Sequence, residues 1–317
     1  MERVLVLGGS GFVGRHLCEK LARLTCQVTV PTRHIGNAKH LQVMPQVTLL
    51  RVDVHNEPAL AALLKGHDAV VNLVAILHGT EAAFNRAHVD LPQTLARACL
   101  AAGVKRVVHV SALGAASDAP SMYQRSKARG EQVLRSAGLD LTVLRPSVIF
   151  GAEDKFLNLF AKLQRIFPVV PLAGAGTRFQ PVWVEDVANA IVRCLQDAET
   201  IGQTFDICGP DVVTLKQLVQ LAAKASGINQ GRGRPVISLP MALGRAQAAL
   251  MALAPGEPLM SRDNLASMTV DNISDGKLPG LPALGIQAAS LAAIVPTYLS
   301  AFSRHSEYQD LRAVSGR

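Results

Sequence analysis

The sequence predicts an α/β protein with a doubly wound parallel sheet and a smaller, interleaved C-terminal lobe. Short apolar runs alternate with helical patterns through the first half of the chain, which is typical of parallel strands joined by helices. The first apolar run leads directly into a glycine-rich turn, and strand-like and helical segments recur after residue 180. With 317 residues and 49% hydrophobic content, the chain can form one large core and an added lobe.

The apolar runs predict strands, and the periodic segments between them predict helices. The predicted strands are residues 3 to 7, 27 to 31, 47 to 52, 69 to 74, 106 to 111 and 140 to 145. The predicted helices are residues 12 to 24, 57 to 65, 85 to 102 and 121 to 137. Further along, residues 184 to 196 predict another helix and residues 203 to 207 another strand.

A glycine-rich turn joins the first strand to the first helix. Gly8, Gly11 and Gly14 stand three residues apart, which suits a tight turn, close approach of a pyrophosphate and close packing of the helix on the strand. The start of the helix offers unpaired N–H groups to phosphates. This order predicts a Rossmann-type dinucleotide site, whose contacts are Gly8, Ser10, Gly11, Phe12, Val13 and Gly14.

The end of the second strand indicates which dinucleotide binds. An acidic residue is expected there when the ligand is NAD, because it binds the ribose 2′-hydroxyl. The sequence instead has Pro31-Thr32-Arg33-His34, without a carboxylate. Arg33 can pair with a 2′-phosphate and Thr32 can donate a hydrogen bond to it, so the sequence favours NADP(H) over NAD(H). The alternative is that Arg33 is a solvated turn residue.

Three residues downstream suggest chemistry. Ser111 ends an apolar run, and Tyr123 and Lys127 share a helix face because they are four residues apart. An ammonium beside a phenol favours the phenolate, so we expect Lys127 to lower the pKa of Tyr123 from its usual value of about 10. Ser111 is expected to hold the substrate oxygen. The alternative is a surface helix on which Tyr123 and Lys127 merely pack together.

Landmarks over most of the chain resemble short-chain dehydrogenase/reductases of the extended or atypical branch. They are the glycine turn, Asp53-Val54, Asn72-Leu73-Val74-Ala75, the Ser111, Tyr123 and Lys127 triad, and the segments 145–151 and 181–188. The resemblance implies that Asp53 contacts the adenine amino group and that Val54 lies against the ring, with helix capping as the competing role of Asp53. It also implies cofactor contacts from Asn72, Val74, Ala75, Lys127, Arg145 and Pro146.

C-terminal segments narrow the resemblance. Residues 258–264, Asp271-Asn272, residues 284–286 and residues 295–299 are similar to a subfamily that includes the NADPH-binding accessory subunit of mitochondrial respiratory complex I and its bacterial relatives. In that subunit the nucleotide serves structure more than turnover. The resemblance therefore implies, as an alternative to an enzyme, a structural or assembly factor of a respiratory or quinone-synthesis complex.

Composition limits the classes of partner. A formal charge of +8 suits an anionic cofactor, nucleic acid or an acidic membrane, but an aromatic content of only 4% argues against a stacking surface for nucleic acid. The five cysteines are dispersed, which argues for a reducing compartment. Neither the cysteines nor the nine histidines show ligand spacing, so we predict no metal site.

The sequence also bears on location. The first strand begins at the N-terminus, so we expect no signal peptide and a cytoplasmic protein, with peripheral binding at the inner face of the membrane as an alternative. Residues 278–303 are apolar but contain three prolines, so we expect no transmembrane span. Residues 239–254 are expected to form a helix over the substrate lobe, or alternatively to lie on a membrane or a partner.

These observations assign residues 1–150 to a nucleotide-binding domain to which residues 181–210 return, and residues 151–180 and 211–317 to a substrate or partner lobe. The predicted function is carbonyl or alcohol oxidoreduction on a hydrophobic or quinone-like substrate, because residues 156–172 and 239–254 supply an apolar lobe. A nucleotide-sugar epimerase or dehydratase, the structural factor and a sensor of the NADP(H) ratio remain alternatives.

Overall fold

The structure is a computed structural model that describes residues 1–251 and 260–300. Its strands, in chain order, are β1 Arg3–Leu7, β2 Gln27–Thr32, β3 Val47–Arg51, β4 Ala69–Asn72, β5 Arg106–Val110, β6 Asp140–Pro146, β7 Ile149–Phe150, β8 Val170–Ala173, β9 Arg178–Phe179, β10 Val182–Trp183, β11 Thr204–Ile207, β12 Val213–Thr214 and β13 Val236–Leu239.

The α-helices are α1 Phe12–Arg23, α2 Glu57–Leu64, α3 Glu81–Asn85, α4 Leu91–Ala102, α5 Met122–Arg135, α6 Leu157–Ile166, α7 Val184–Gln196, α8 Leu215–Ala225, α9 Met241–Met251, α10 Arg262–Ser267 and α11 Leu291–Leu299. A π-helical turn, Arg86–Asp90, joins α3 to α4, and short 3₁₀ helices span Ile35–Leu41, Ala198–Thr200 and Leu281–Leu284. The helix predicted at 85–102 therefore begins earlier, because the Thr80 side chain caps α3 by accepting the N–H of Ala83.

The chain divides into two compact units. The first comprises Met1–Ser147, Val184–Cys208 and Ser274–Gln287, and the second comprises Val148–Trp183, Gly209–Ile273 and Ala288–Arg317. Residues Ser274–Gln287, which we expected in the second lobe, group with the first unit because they hydrogen-bond to β11 at the edge of its sheet. Pro279 O accepts the N–H of Asp206 in β11 at 2.9 Å, and the hydroxyl of Ser274 donates to the Asp206 carboxylate at 3.0 Å.

The first unit contains a seven-stranded sheet, which confirms the predicted Rossmann-type α/β fold. Its strand order is β11-β6-β5-β4-β1-β2-β3, and every pair is parallel. Residues Val4 to Leu7 of β1 are all fully buried, as expected for a central strand covered by helices on both faces. The winding direction reverses between β1 and β4, so ligands are expected outside the carboxyl ends of these two strands.

Helices pack on both faces of this sheet. On one face, α1 packs against α7, where His16 Nδ1 lies 2.5 Å from Glu185 Oε1 and Lys20 Nζ lies 2.6 Å from Glu185 Oε2. On the other face, α2, α4 and α5 cover an apolar core. The buried members of that core are Leu5, Leu7, Leu60, Leu64, Val70, Leu95, Ala96, Ala98, Cys99, Val104, Val107, Leu134, Leu141 and Val143.

The second unit has its own core, formed by α6, α8, α11 and β8. Asp154 organises it: one carboxylate oxygen accepts N–H groups at the start of α6, and the other accepts the hydroxyl of Tyr298 from α11 at 3.0 Å. Burial raises the pKa of Tyr298, and the neighbouring Asp154 carboxylate raises it further. The buried core members are Phe150, Leu157, Phe160, Ala161, Val170, Leu172, Ala175, Phe179, Leu215, Leu218, Val219, Ala222, Leu291, Val295 and Leu299.

Two apolar segments singled out from the sequence form short helices. Residues 278–303 include the 3₁₀ turn and α11, and residues 301–303 lie outside the described residues. Within residues 1–251 and 260–300, no helix is long and apolar enough to cross a membrane. Residues 239–254 contain α9, which packs against β8 through Gly244, and residues 252–254 lie outside the described part.

Candidate functional site

The glycine turn after β1 is shaped as the sequence indicates. Gly8 has a φ of +80°, and its carbonyl accepts the N–H of Gly11 at 3.0 Å. A Cβ on Gly14 would lie 2.5 Å from both Gly9 Cα and Gly9 O, so only glycine allows α1 to pack this closely on the turn. No side chain caps the start of α1 at Gly11, and its first turn contains no acidic residue. Its N–H groups can therefore take an anion.

The turn lies beside the loop that follows β4. A Cβ on Gly8 would lie 3.1 Å from Leu73 C and 3.2 Å from Val74 N, so the two loops are in close contact at the point where the winding reverses. Asn72 is buried at the end of β4 and fixes this loop by accepting the N–H of Val74 at 3.2 Å. The structure thus brings together Gly8, Asn72 and Val74.

Thr32 and Arg33 lie at the end of β2. Arg33 is exposed, and Thr32 is buried in a turn in which its hydroxyl donates to His34 O at 3.2 Å. Burial lowers the pKa of the neighbouring His55, Asp53 raises it, and Arg86 and Arg33 lower it. Arg86, in the π turn, thus acts on the same histidine as Arg33, and sequence reasoning did not single it out.

Lys127, one of the three residues expected to take part in chemistry, is buried. Its Nζ donates to Val110 O at the end of β5 over 2.9 Å, and its side chain is 1% exposed. Burial lowers the pKa of Lys127 to about 8, and Glu131 partly opposes this by favouring the ammonium. Ser121 places the helix that carries Lys127, because its hydroxyl caps α5 by accepting the N–H of Gln124.

Tyr123 is half-buried one helical turn before Lys127. We expected the ammonium to lower the pKa of the phenol, but burial raises the pKa of Tyr123 to about 12. The reason is that removal of the phenol from water disfavours the phenolate. When no ligand is bound, the phenol of Tyr123 is consequently protonated at neutral pH and can donate a proton.

His88, in the π turn, connects the loop after β4 to Tyr123. Its Nε2 accepts the N–H of Ile76 at 3.1 Å, so the ring proton is on Nδ1, which lies 2.8 Å from Ser126 Oγ. The Ser126 hydroxyl in turn donates to Tyr123 O at 2.8 Å. Burial, and then the charge of Lys127, lower the pKa of His88 to about 3, so the ring is neutral.

The side chains around His88 pack closely. Its ring meets that of Tyr123 edge-on, with centroids 5.5 Å apart, and Phe84 lies 6.3 Å from Tyr123. A Cβ on Gly130 would lie 2.0 Å from His88 O, so α5 can approach the π turn only because residue 130 is glycine. The π turn and this glycine together set the position of the His88 ring.

Two buried polar atoms at the end of β5 have no hydrogen-bond partner among the described residues: His109 Nε2 and Ser111 Oγ. The amide of Asn72 donates to His109 Nδ1 at 3.2 Å, since its oxygen is taken by Val74 N, and His109 Nε2 therefore carries the ring proton. Burial lowers the pKa of His109 well below its usual value. A buried, unpaired serine hydroxyl is suited to bind a ligand oxygen.

Comparisons with known proteins agree with this architecture. Residues 4–208 match the model of a family described as "NAD dependent epimerase/dehydratase family". This chain belongs to that family.

Its relatives include subunits named for a mitochondrial NADH dehydrogenase. The chain is 34% identical over 293 residues to NADH dehydrogenase (ubiquinone) 1 alpha subcomplex subunit 9, mitochondrial, of Mus musculus, covering 90% of this chain and 76% of the relative. It is 31% identical over 191 residues to a ceramide reductase of Caulobacter vibrioides, covering 60% and 59%. A dTDP-glucose 4,6-dehydratase from Streptomyces venezuelae shares the fold, with a TM-score of 0.74, 22% identity and coverage of 95% and 97%.

Several residues expected to contact a cofactor in this epimerase/dehydratase family protein have partners within the chain. Arg145 pairs with Glu131 through two hydrogen bonds, of 2.9 and 2.7 Å, and Glu131 is only 3% exposed. Pro146 O accepts the N–H of Leu113 at 2.9 Å. The guanidinium of Arg145 thus joins α5 to β6, and Glu131 is a residue that sequence reasoning missed.

The adenine-side residues are less enclosed. Asp53 is exposed and accepts the N–H of His55 at 3.1 Å, while the capping role that competed for Asp53 belongs to Asn56, which accepts the N–H of Ala59 at 3.0 Å. Val54 and Val74 pack against the core of the first unit, and Ala75 is exposed. Around the start of α1, Ser10, Phe12 and Val13 are half-buried.

Metal ligands were not expected. Among the described residues, no group of three or more His, Cys, Asp or Glu side chains is arranged to hold a metal ion.

Proposed function

We propose that the chain is an NADP(H)-dependent oxidoreductase that acts on a hydrophobic carbonyl compound. The observation that carries the proposal is the Lys127 ammonium, which is buried one helical turn from the protonated phenol of Tyr123. Burying an ammonium costs free energy unless the ammonium is paired with an anion or hydrogen-bonded. Ser111 Oγ, also buried and unpaired among the described residues, supports a site for a substrate oxygen.

The residues around the glycine turn fit a dinucleotide. The Cβ-free surface of Gly8, Gly11 and Gly14 and the uncapped start of α1 suit a pyrophosphate, which carries negative charge and needs N–H donors. Arg33 is exposed at the end of β2 and would pair with a 2′-phosphate. Arg33, and the lack of a carboxylate in Pro31-Thr32-Arg33-His34, support a preference for NADP(H).

The chemistry follows from the charges of these side chains. A reduced dinucleotide held at Gly8, Gly11 and Gly14 would supply a hydride to the carbonyl carbon. Ser111 would donate a hydrogen bond to the carbonyl oxygen, and Tyr123 would give its phenolic proton to that oxygen, so that the carbonyl becomes an alcohol. Lys127, whose pKa is about 8, is largely protonated at neutral pH and would orient the ribose of the cofactor.

The class of substrate is inferred from the apolar runs at residues 156–172 and 239–254 and from one relative. The relative named ceramide reductase supports a lipid carbonyl in particular, and quinone-like molecules belong to the same hydrophobic class.

A second candidate is a nucleotide-bound structural subunit. It is favoured by relatives named as subunits of a mitochondrial NADH dehydrogenase, which match 90% of this chain. Native mass spectrometry of the purified protein separates the two candidates. A nucleotide that stays bound and does not exchange with added NADPH supports the structural subunit, whereas one that exchanges readily supports the enzyme.

The cofactor assignment is tested by replacing Arg33. Arg33→Ala removes the partner of the 2′-phosphate, so the Kd for NADPH should rise about 10- to 100-fold, while the Kd for NADH changes little. Isothermal titration calorimetry measures both constants. Arg23→Ala, an exposed arginine at the end of α1, is the matched control and should leave both constants unchanged. Equal losses of NADPH and NADH affinity would contradict the assignment.

A further inference from the structure

Two long stretches of the second unit contain no acidic residue. Residues 155–183 and 212–256 contain neither Asp nor Glu. Their basic residues are Lys155, Lys162, Arg165, Arg178, Lys216, Lys224, Arg232, Arg234 and Arg245. These stretches include α6, β8, α8 and β13, which pack against one another as α6 on α8 and β8 beside β13. The positive charge of the unit is therefore concentrated on neighbouring elements.

Large apolar side chains are exposed on the same elements. Ile166 is 71% exposed and Phe167 50% exposed at the end of α6, and Ile237 of β13 is 54% exposed. Ile237 pairs in register with Pro171 of β8, which is exposed too. The outer face of this two-stranded sheet is thus apolar, whereas Val170 and Leu172 face the core.

Hydrogen bonds hold these pieces together. Val170 N donates to Pro235 O at 2.9 Å, and Arg234 Nε donates to Gln164 O at 3.3 Å, which ties the segment before β13 to the end of α6. On α6, Lys162, Arg165 and Ile166 are spaced three and four residues apart and are all exposed, so they share one face. We define the docking face as Lys162, Arg165, Ile166, Phe167, Pro171 and Ile237.

We propose that the docking face binds the surface of an anionic lipid bilayer. An exposed cluster of aliphatic and aromatic side chains inserts at the boundary between headgroups and acyl chains. Basic residues around it are attracted to anionic headgroups, and the lack of carboxylates in these stretches removes the repulsion that would oppose this contact. Charge complementarity therefore favours an anionic membrane as the partner of the docking face. A protein surface with few acidic residues, or a second copy of this basic chain, would not supply the negative charge.

Co-sedimentation with vesicles tests the proposal. The full-length protein should bind vesicles containing 30% phosphatidylglycerol, roughly tenfold more tightly than pure phosphatidylcholine vesicles, and less tightly as salt increases. Lys162→Gln should weaken binding about fivefold, since one basic residue is lost. Ile166→Ser and Ile237→Ser should each weaken it about tenfold by removing inserted apolar surface.

The controls are exposed residues of the first unit: Val43→Ser, Leu100→Ser and Lys65→Gln should bind vesicles like the parent protein. Circular dichroism checks that every variant folds. Absence of any preference for anionic vesicles overturns the proposal, as does equal weakening by docking-face and control variants. Sedimentation velocity is run in parallel: a dimer that Ile237→Ser dissociates, without vesicle binding, would assign the face to a second copy instead.

Discussion

His88 is a buried neutral imidazole that no motif in the sequence identifies. One ring nitrogen, Nε2, accepts the N–H of Ile76, and the other, Nδ1, donates to the Ser126 hydroxyl. That hydroxyl in turn donates to the backbone carbonyl of Tyr123. Protonating Nε2 would remove its acceptor lone pair and place a second cation near Lys127. The ring therefore positions Tyr123 only while it is neutral.

This neutral state predicts a pH dependence of stability. The folded pKa of His88 is about 3, below the ordinary value of about 6.5 in an unfolded chain. The unfolded state therefore gains a proton first, so the stabilisation is complete above pH 6.5 and is lost as the pH falls toward 3, by about 1.4 kcal/mol per pH unit. His88→Asn should reduce the loss between pH 6 and pH 4 by about 1 kcal/mol per unit.

Urea unfolding at pH 6, 5 and 4 measures this slope. His34→Asn is the matched control, because His34 is exposed to solvent in the folded protein, and it should keep the parent's slope. If His88→Asn and the parent lose the same free energy of unfolding over this range, the neutral His88 makes no such contribution.

How much of the site can be predicted depends on sequence separation. Tyr123 and Lys127 are visible because residues four apart share a helix face, and the glycines are visible because a tight turn needs them close together. His88 and Ser126 are 38 residues apart, and Asn72 and His109 are 37 apart, so only the folded chain shows these pairs. The raised pKa of Tyr123 was also not predicted, because it depends on burial rather than on the neighbouring lysine.

At the scale of elements, the contact of α5 with the π turn Arg86–Asp90 determines the geometry of the site. A Cβ on Gly130 would lie 2.0 Å from His88 O, a backbone atom that cannot rotate away. Gly130→Ala should therefore separate the two elements and lower the free energy of unfolding by about 3 kcal/mol. Differential scanning calorimetry and urea unfolding measure this loss.

Gly36→Ala is the control for that change. Nothing lies within 4 Å of a Cβ at Gly36, so the substitution should change the free energy of unfolding by less than about 1 kcal/mol. A Gly130→Ala variant as stable as Gly36→Ala would mean that α5 and the π turn tolerate a wider separation than the structure indicates.

Elements with strong local patterns were predictable. The central strands are continuous apolar runs because both faces are covered, and the runs at residues 3–7 and 69–74 became β1 and β4. The prediction of one continuous helix at 85–102 was wrong. The helical segment begins at Glu81, and a π turn separates α3 from α4. The π turn contains His88, which contacts Gly130, 42 residues later in the chain. The periodicity of the sequence around residue 88 cannot predict a contact with so distant a residue.

At the scale of the whole molecule, two later segments of the chain belong to the first unit together with residues 1–147. They are Val184–Cys208 and Ser274–Gln287. The return of α7 and β11 was expected from their helical and apolar patterns. The return of Ser274–Gln287 was not, because this segment is held by hydrogen bonds to β11 and by one short 3₁₀ turn rather than by a periodic apolar face.

The central claim is that the first unit transfers a hydride from NADPH with Tyr123 as the proton donor, and deuterium transfer tests it most directly. The protein is mixed with NADPH that carries deuterium at both C4 positions of the nicotinamide and with a panel of long-chain ketones, and the extracted products are analysed by mass spectrometry. Single deuterium incorporation at the carbinol carbon of a ketone is expected, with a rate about 100-fold lower in Tyr123→Phe and near the parent's in Tyr298→Phe. Tight NADPH binding without transfer to any member of the panel, or an unchanged rate in Tyr123→Phe, would contradict the claim.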